Sequence, residues 1–449
     1  PYGDNPHGVP VVRFSDDAPL APAFGNNSTA PQVYGIGEAR FSRHHRNGKA
    51  MQWNVTWERM LGQRWQTSIG YSASASSNLL NRSYPLQNLQ SIPADVLAGW
   101  RDIYIASNGT LNPATEQVPN PFQPATGERL PFSGVLGNAT LPRQNTYFPY
   151  PHLVGTNAAI NLAHATASYH SMLLSIARRF SGGVSLSAHY TFSRNIDSTS
   201  THEDNQGFNA GNGSFNFNLL DPSDNRTIGY SDVPHRFVAQ FVYDLPFGEG
   251  GPHALSQPVL RAILGDWRLA GNVLWQSGFP IGVSGASNGA ALTRPDRVEG
   301  VPIELPKELQ GWYDGRTQVT LPSGRVITPP NNTYLKYNPD AFAGRVVTTP
   351  DGSVVPDVFW FGNARPTYNE FRTDSRFNID LSIRRTFRIL AGPQLEVGAD
   401  IMNLLNTAQF NGSYSGNLGA TNTRTDPSRG LIPGMGSSES FGTRGLSTF

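Results

Sequence analysis

The chain has 449 residues, of which 38% are hydrophobic and only 15% are charged, and its formal net charge is +1. This balance, without any basic run or stripe, gives no indication of a nucleic-acid partner. The absence of cysteine excludes disulfides and thiolate metal sites, and the 46 glycines and 35 prolines favour turns and loops over helices.

The first predicted hairpin joins a strand at 52–61 to a strand at 64–74 through a turn near Gly62-Gln63. Both segments alternate between apolar and polar residues, which is the pattern of a strand with two different faces. The next stretch, 75–165, is rich in Asn, Pro and Ser and is predicted to be loop.

The second hairpin occupies 168–198 and turns at Ser181-Gly182-Gly183. Alternate residues of its second strand form one apolar face, which contains Val184, Leu186, Ala188, Tyr190 and Phe192. The residues between them form a polar face, which contains Ser185, Ser187, His189, Thr191 and Ser193.

The third pair of strands is predicted at 235–247 and 266–283, and its connection contains a possible helical turn at PVLRAILG. The fourth pair, 376–389 and 395–406, is joined by the short stretch LAGPQ.

Three connections between the pairs are long, at 75–165, 199–234 and 284–375. Loops of more than about 15 residues are uncommon in compact soluble domains. All three fall at the same end of the strands, and the shorter connections fall at the other end. This asymmetry is typical of an outer-membrane β-barrel, with short periplasmic turns and long extracellular loops. The fold class we predict is therefore all-β, an antiparallel transmembrane barrel.

Strand length agrees with this interpretation. Phe377 and Phe387 lie ten residues apart on one face, which corresponds to ~25 Å along the barrel axis at a tilt of about 40°. That distance matches the apolar band of an outer-membrane barrel. The predicted lipid-facing residues, including the aromatic girdles, are Trp53, Trp57, Tyr190, Phe192, Phe241, Tyr243, Trp267, Trp275, Phe279, Phe377 and Phe387.

The opposite face of the predicted strands is polar and would line the barrel lumen. Its candidate residues are Glu58, His189, Arg236, Gln240, Asp244, Arg268, Gln276, Asp380, Arg384, Glu396 and Asp400. One interpretation is a substrate path that also contacts a plug domain. The alternative is that these groups only pair with one another within the wall.

Several segments resemble the Oar-like TonB-dependent receptors. They are SYHSMLLSIARRFSGGVSLSAHYTFSRNID, DVPHRFVAQFVYDLPFG, GDWRLAGNVLWQSGFPIGVSG, and FNIDLSIRRTFRI followed by LEVGADIMNLLNTAQFN. The loop segments LNPATEQVPNPF and LPRQNTYFPYP are also similar, so the resemblance covers roughly 45–435. It implies a barrel of about 22 strands with an N-terminal plug, which is often preceded by a small carboxypeptidase-regulatory-like β-sandwich. It also implies transport driven by the TonB complex.

The sequence departs from that family pattern by containing no plug, no preceding β-sandwich and no TonB box. It begins at Pro1 without a signal peptide, and we expect it to be a C-terminal portion of a longer protein. The predicted organisation is 1–46 as extracellular loop and strand remnant, and 47–411 as barrel strands with long extracellular loops. Residues 412–449 are a Gly/Ser/Asn-rich extracellular loop, with the last strand missing.

Catalytic and metal-binding motifs are weak. The chain has no nucleophile elbow, no zinc-protease motif and no phosphate-binding loop, so we expect neither an enzyme nor a cofactor. Asp197, Glu203 and Asp204 could supply oxygen ligands to Ca²⁺, but the spacing of a calcium loop is absent.

Two functional hypotheses follow for a protein of the bacterial outer membrane, with outer-membrane lipid as its surroundings. The first is a TonB-dependent transporter of a bulky, peptide or glycan-like substrate, coupled to the TonB complex through the plug region. The second is a surface structural or adhesive protein anchored by its barrel. Its motive is the bulk of the long loops and their possible contact aromatics, Trp100, Tyr104, Trp312, Tyr334, Trp360 and Tyr368.

Overall fold

The structure is a computed structural model. It describes residues 39–41, 46–85, 92–121, 138–148, 159–198, 222–247, 253, 256–283, 295–359, 361–388, 394–408 and 443–445.

Eight long strands in the described part of the chain form one sheet, which we call the wall. They are β1 (Lys49–Leu61), β2 (Trp65–Pro85), β3 (Ala159–Ser181), β4 (Val184–Asp197), β5 (His235–Asp244), β6 (Trp267–Gln276), β7 (Arg376–Arg388) and β8 (Gln394–Ile401).

Each strand of the wall pairs antiparallel with the next strand along the chain, so the sheet is a simple meander from β1 to β8. Among the described residues β1 and β8 remain open edges and do not pair with each other. The structure confirms an all-β fold whose strands are mostly antiparallel. The total number of strands and the closure of a barrel stay predictions.

Register gives the wall two chemically different faces. Partners across an antiparallel pair point to the same side of the sheet. One such row of partners crosses seven strands and is apolar throughout, consisting of Trp57, Ile69, Leu174, Tyr190, Phe237, Trp275 and Phe377. We call the side that contains this row the apolar face, and the other side the polar face.

Ten of the eleven predicted lipid-facing residues lie on the apolar face. The exception is Phe279, because β6 ends at Gln276. The backbone of Phe279 instead bonds to Thr373, with Thr373 N donating to Phe279 O at 2.8 Å. The predicted strand 266–283 was therefore too long. The ring of Phe241 in β5 covers Gly271 in β6. A Cβ added to Gly271 would lie only 2.7 Å from this ring.

The turns fall where the sequence predicts them. Gly182 and Gly183 have φ of 59° and 77°, which is the conformation of a two-residue hairpin turn that matches the twist of its strands. Gly62 also has a positive φ, at 64°. The predicted helical turn between β5 and β6 is α-helical from Pro258 to Leu264.

Three further predicted boundaries are wrong. β2 continues to Pro85 and β3 begins at Ala159, so part of the predicted loop 75–165 is strand. The last strand ends at Ile401 rather than 406. Beyond it, Asn403 adopts a φ of 50° and accepts a hydrogen bond from Thr407 N, which turns the chain away from the sheet.

The described parts of the three long connections form a second layer at one end of the wall, which we call the cap. It contains the helix Ala94–Ala106 and many short strands. Two short strands extend the sheet of the wall: Ala39–Phe41 pairs parallel with β3, and Thr227–Ile228 pairs antiparallel with β4. The remaining strands are Gln117–Pro119, Thr140–Pro142, Pro280–Gly282, Asp296–Arg297, Gly311–Asp314, Val319–Thr320, Val326–Ile327, Asn331–Leu335, Phe342–Ala343, Val346–Thr348, Val354–Pro356, Thr367–Arg372 and Thr443–Gly445.

The buried hydrophobic clusters of the described residues lie mainly in the cap. The largest one is built on Ile281, Tyr337, Phe342 and Phe371, of which the two phenylalanines are completely buried. The wall, in contrast, leaves large apolar side chains such as Trp57 more than half exposed. Tertiary packing therefore stabilises the cap like a small soluble domain, whereas the wall needs an apolar environment on one side.

None of the helices in the described residues is long and apolar enough to cross a membrane.

The two faces predict opposite effects for one substitution at neighbouring leucines. Leu174 lies on the apolar face between Ile69 and Tyr190, and Leu173 lies on the polar face; they are 37% and 41% exposed. If the apolar face contacts lipid, Leu174→Arg should cost about 2–4 kcal/mol and Leu173→Arg much less. The measurement is the free energy of unfolding in lipid vesicles. Equal losses for the two variants would show that the face assignment is wrong.

Candidate functional site

All eleven candidate lumen residues lie on the polar face. Register places Asp244, Arg268 and Arg384 in one row across three strands, and Gln240, Asn272 and Asp380 in a second row. The sequence pattern therefore predicts the common face correctly. That this face lines a lumen stays a prediction.

The first row extends into a line of alternating charges, which we call the charge row (Asp244, Arg268, Arg384, Glu396 and Asp400). Arg268 donates two hydrogen bonds to Asp244, at 2.6 Å from Nε and 3.0 Å from Nη2. Arg384 contacts Asp400 at 2.8 Å and Glu396 at 3.2 Å. The two arginines are neighbours in register, and their carboxylate partners lie on the outer strands of the row.

These contacts support the interpretation that the charge row is self-satisfied. Its side chains are 36–57% exposed, and exposed ion pairs contribute at most about 1 kcal/mol each. They link β5 to β6 and β7 to β8 near the short connections.

Other polar-face groups leave hydrogen-bonding capacity open. Asp380 accepts from Asn403 N at 2.9 Å, and His189 bonds Ser187 at 2.9 Å. Arg236, Gln240 and Gln276 make no side-chain hydrogen bond or ion pair in the described structure. They are the candidates of the original set that can bind a ligand without breaking an existing contact. Glu58 has only a long contact from Gln66, at 3.4 Å.

An open depression of about 450 Å³ lies on the polar face. Its lining combines hydroxyl, amide and carboxylate groups with some apolar surface: Ser185, Ser187, Gln240, Phe241, Val242, Ala270, Gly271, Asn272, Asp380, Leu381, Ser382, Asp400 and Met402. Ser185, Ser187 and Ser382 belong to the polar side of the predicted strands. Alternation placed them on the correct face, but only register brings them together from β4 and β7.

We call the end of the wall where the three long connections begin the outer end. Arg372 joins the cap to this end. Its guanidinium contacts Asp232 at 2.6 Å, and the Asp232 side chain is completely buried. Arg372 also donates to Gly278 O at 3.1 Å. One side chain therefore joins the β4–β5 connection to both ends of the β6–β7 connection, and Thr227 and Thr367 add a hydroxyl contact of 2.9 Å nearby.

A second junction joins the β2–β3 and β6–β7 connections. Arg101 contacts the buried carboxylate of Asp357 at 2.8 Å. Trp100 and Tyr104, one turn apart on the helix, both pack edge-on against Phe359. Burial raises the pKa of Tyr104, and the negative charge of Asp357 raises it further.

This packing corrects the interpretation of the loop aromatics as contact residues. Trp100 and Tyr104 are each 6% exposed and belong to the cap interior. Tyr368 packs against Phe342. Only Trp312, which is 45% exposed and edge-on to Tyr334, keeps a large surface among the described members of the set; Trp360 lies outside the described residues.

The interior of the cap also contains a buried ion pair. Arg325 and Asp340 meet at 2.7 Å, and each side chain is 1% exposed. Asp340 additionally accepts a hydrogen bond from Ser323. Near this pair, burial raises the pKa of Tyr337 well above its ordinary value.

The calcium candidate remains a prediction. Asp197 ends β4 and is contacted by Asn195 Nδ2 at 3.5 Å, while Glu203 and Asp204 lie outside the described residues. Within the described residues no three acidic or histidine side chains are close enough to hold a metal ion.

Comparison with known proteins gives one match. A protein-family model described as "Outer membrane beta barrel domain" matches residues 2–446. No curated protein and no solved structure matches the chain.

Removal of the buried charge of Asp340 should open the cap and spare the wall. Asp340→Asn leaves Arg325 without its counter-charge in the interior, which typically costs about 3–5 kcal/mol. Hydrogen exchange of 303–342 should become much faster, while β3 and β4 keep their protection. The control is Asp351→Asn, which changes an exposed carboxylate of the same cap. Unchanged exchange in Asp340→Asn would mean that the ion pair does not stabilise the cap.

Proposed function

The chain belongs to the outer membrane β-barrel domain family, and we propose that it is the barrel portion of a TonB-dependent transporter for a bulky polar substrate. The family places the protein in the bacterial outer membrane. The proposal is that peptides or glycans cross along the polar face, without chemical change.

The observation that carries the proposal is the mixed chemistry of the polar face. Gln240 and Asn272, at the centre of the depression, offer amide groups beside the carboxylate of Asp380 and the hydroxyl of Ser382. Amides and hydroxyls both donate and accept hydrogen bonds, so they suit a ligand with many weak polar groups. Such a lining favours a glycan or a peptide backbone over an apolar molecule.

The cap is compatible with a selective entrance at the outer end. Its connections are packed and joined by buried charges, so it presents a defined surface rather than mobile loops. A folded entrance of this kind can select among bulky ligands before they reach the polar face.

Energised transport needs a plug domain in the barrel and coupling to the TonB complex. Outer-membrane lipid surrounds the apolar face in this proposal. The full-length gene product is therefore the protein to test for transport.

The second candidate function is a surface structural or adhesive role, with the wall as anchor. The folded cap favours it, because a packed domain outside the membrane could itself be the functional part. The exposed Trp312, which packs edge-on against the partly buried Tyr334, would then be a contact residue.

Uptake measurements separate the two functions. Cells without the gene should lose accumulation of labelled oligosaccharide or peptide, and a protonophore should abolish accumulation in wild-type cells. Retained uptake together with loss of surface attachment would favour the anchor function.

The polar face itself can be tested by the double variant Gln240→Leu/Asn272→Leu. Loss of two amide contacts should reduce the uptake rate at limiting substrate about tenfold. Gln66→Leu makes the same kind of change on the polar face outside the depression and should leave uptake unchanged. If the double variant transports normally at wild-type abundance in the outer membrane, the substrate does not follow this part of the face.

A further inference from the structure

The apolar face ends abruptly in positive charge at its outer end. Along β4 the side chains on this face are Val184, Leu186, Ala188, Tyr190 and Phe192, followed by Arg194. Val184 and Arg194 are ten residues apart, which places the guanidinium ~25 Å from the other end of the apolar band. Arg194 therefore lies where hydrocarbon would give way to lipid headgroups.

Two arginines at this end of the apolar face have no acidic partner in the described structure. Arg194 donates to the neutral amide oxygen of Asn369 at 2.8 Å. Arg226, from the β4–β5 connection, donates to the hydroxyls of Thr166 and Ser168, at 3.1 and 3.0 Å. Neither has a carboxylate within salt-bridge distance in the described structure. Arg268, Arg372 and Arg101 differ, since each of them contacts an aspartate.

Two histidines complete the same surface. His170 is the direct register partner of Arg194, and His235 is the partner of Phe192 on the same face. We call His170, Arg194, Arg226 and His235 the outer patch.

Each histidine contacts one tyrosine and one tryptophan. The Tyr71 hydroxyl lies 2.7 Å from Nδ1 of His170, and the Tyr190 hydroxyl lies 2.7 Å from Nδ1 of His235. Both tyrosine rings stack on the imidazole they contact. A tryptophan ring packs against each unit as well, Trp53 beside His170 and Trp275 beside His235.

The tyrosine contact occupies Nδ1 of each imidazole, so Nε2 is the nitrogen left for a ligand. A tyrosine hydroxyl that donates to Nδ1 leaves the proton of a neutral imidazole on Nε2. Nε2 makes no hydrogen bond with the described residues in either histidine. The outer patch thus combines two guanidinium groups that have no carboxylate partner in the described structure with two imidazole nitrogens that can hydrogen-bond a ligand.

We propose that the outer patch binds the phosphate group of an outer-leaflet lipid. The proposal rests on the apolar face being the lipid-facing side. A guanidinium matches the planar geometry of phosphate oxygens and forms strong charge-assisted hydrogen bonds with them. The patch is continuous with the apolar face, so one molecule can place its acyl chains on Tyr190 and Phe192 and its phosphate on Arg194 and Arg226. This continuity favours a lipid over a free anion.

The test is binding of labelled diphosphoryl lipid A to the full-length protein in detergent micelles. Arg194→Gln/Arg226→Gln should weaken lipid binding about tenfold or more, because the loss of each charge-assisted hydrogen bond lowers the affinity severalfold. The glutamines keep amide donors for Asn369, Thr166 and Ser168, so the fold is expected to survive. Circular dichroism and heat-modifiable migration check this.

The matched control is Arg59→Gln/Arg178→Gln, which removes two arginines from the same face near the short connections. It should bind like the wild type. Lipid A without phosphates should bind weakly to the wild-type protein. Its affinity should be about the same as that of intact lipid A for the Arg194→Gln/Arg226→Gln variant.

Equal loss in the control variant would show unspecific charge attraction and overturn the proposal. Displacement of the lipid by millimolar inorganic phosphate would show a free-anion site instead. Uptake is not needed for these measurements, so failure of the transport proposal leaves the result interpretable. If His170→Phe/His235→Phe also weakens binding in a folded protein, the imidazole nitrogens belong to the site.

Discussion

Backbone pairing in a fixed antiparallel register is the constraint on which the rest of the structure depends. Because side chains alternate with a period of two, a shift of one residue in any pair would move a whole strand's side chains to the opposite face. The unbroken apolar row from Trp57 to Phe377 shows that no such shift occurs at this level between β1 and β7; the shifts that do occur lie beyond Ser76 in β2 and at the β3–β4 turn. Both the apolar and the polar face follow from this one alignment.

The same alignment explains how polar groups are tolerated on so exposed a sheet. In the charge row, Arg268 and Arg384 are adjacent like charges, and each is compensated by a carboxylate on its other side. The amides at the depression, in contrast, are not tied to neighbours. The polar face therefore contains a self-satisfied part near the short connections and an open part above it.

The cap obeys different physics. Its interior consists of buried hydrophobic clusters, and the carboxylates of Asp232, Asp340 and Asp357 are buried and paired. The exposed apolar side chains of the wall suit an element surrounded by lipid. The buried hydrophobic clusters of the cap suit an element surrounded by water. Arg372 and Phe371 lie where the cap meets the wall, so the packing of the cap is coupled to the position of the strand ends.

The sequence alone was sufficient for the hairpins, their tight turns and the face of each strand residue, because alternation and glycine turns are local signals. It also predicted that Gln240 and Asp380 would share a face. It could not show that Trp100 and Tyr104 are buried, since aromatic residues in a long loop look alike whether they contact a ligand or another loop. Only tertiary structure decided the pairing of Arg268 with Asp244, the depression shared by β4 and β7, and the placement of Arg226 on the face that contains Arg194. Each of these depends on the distance between segments far apart in the chain, which register and packing determine and local pattern does not.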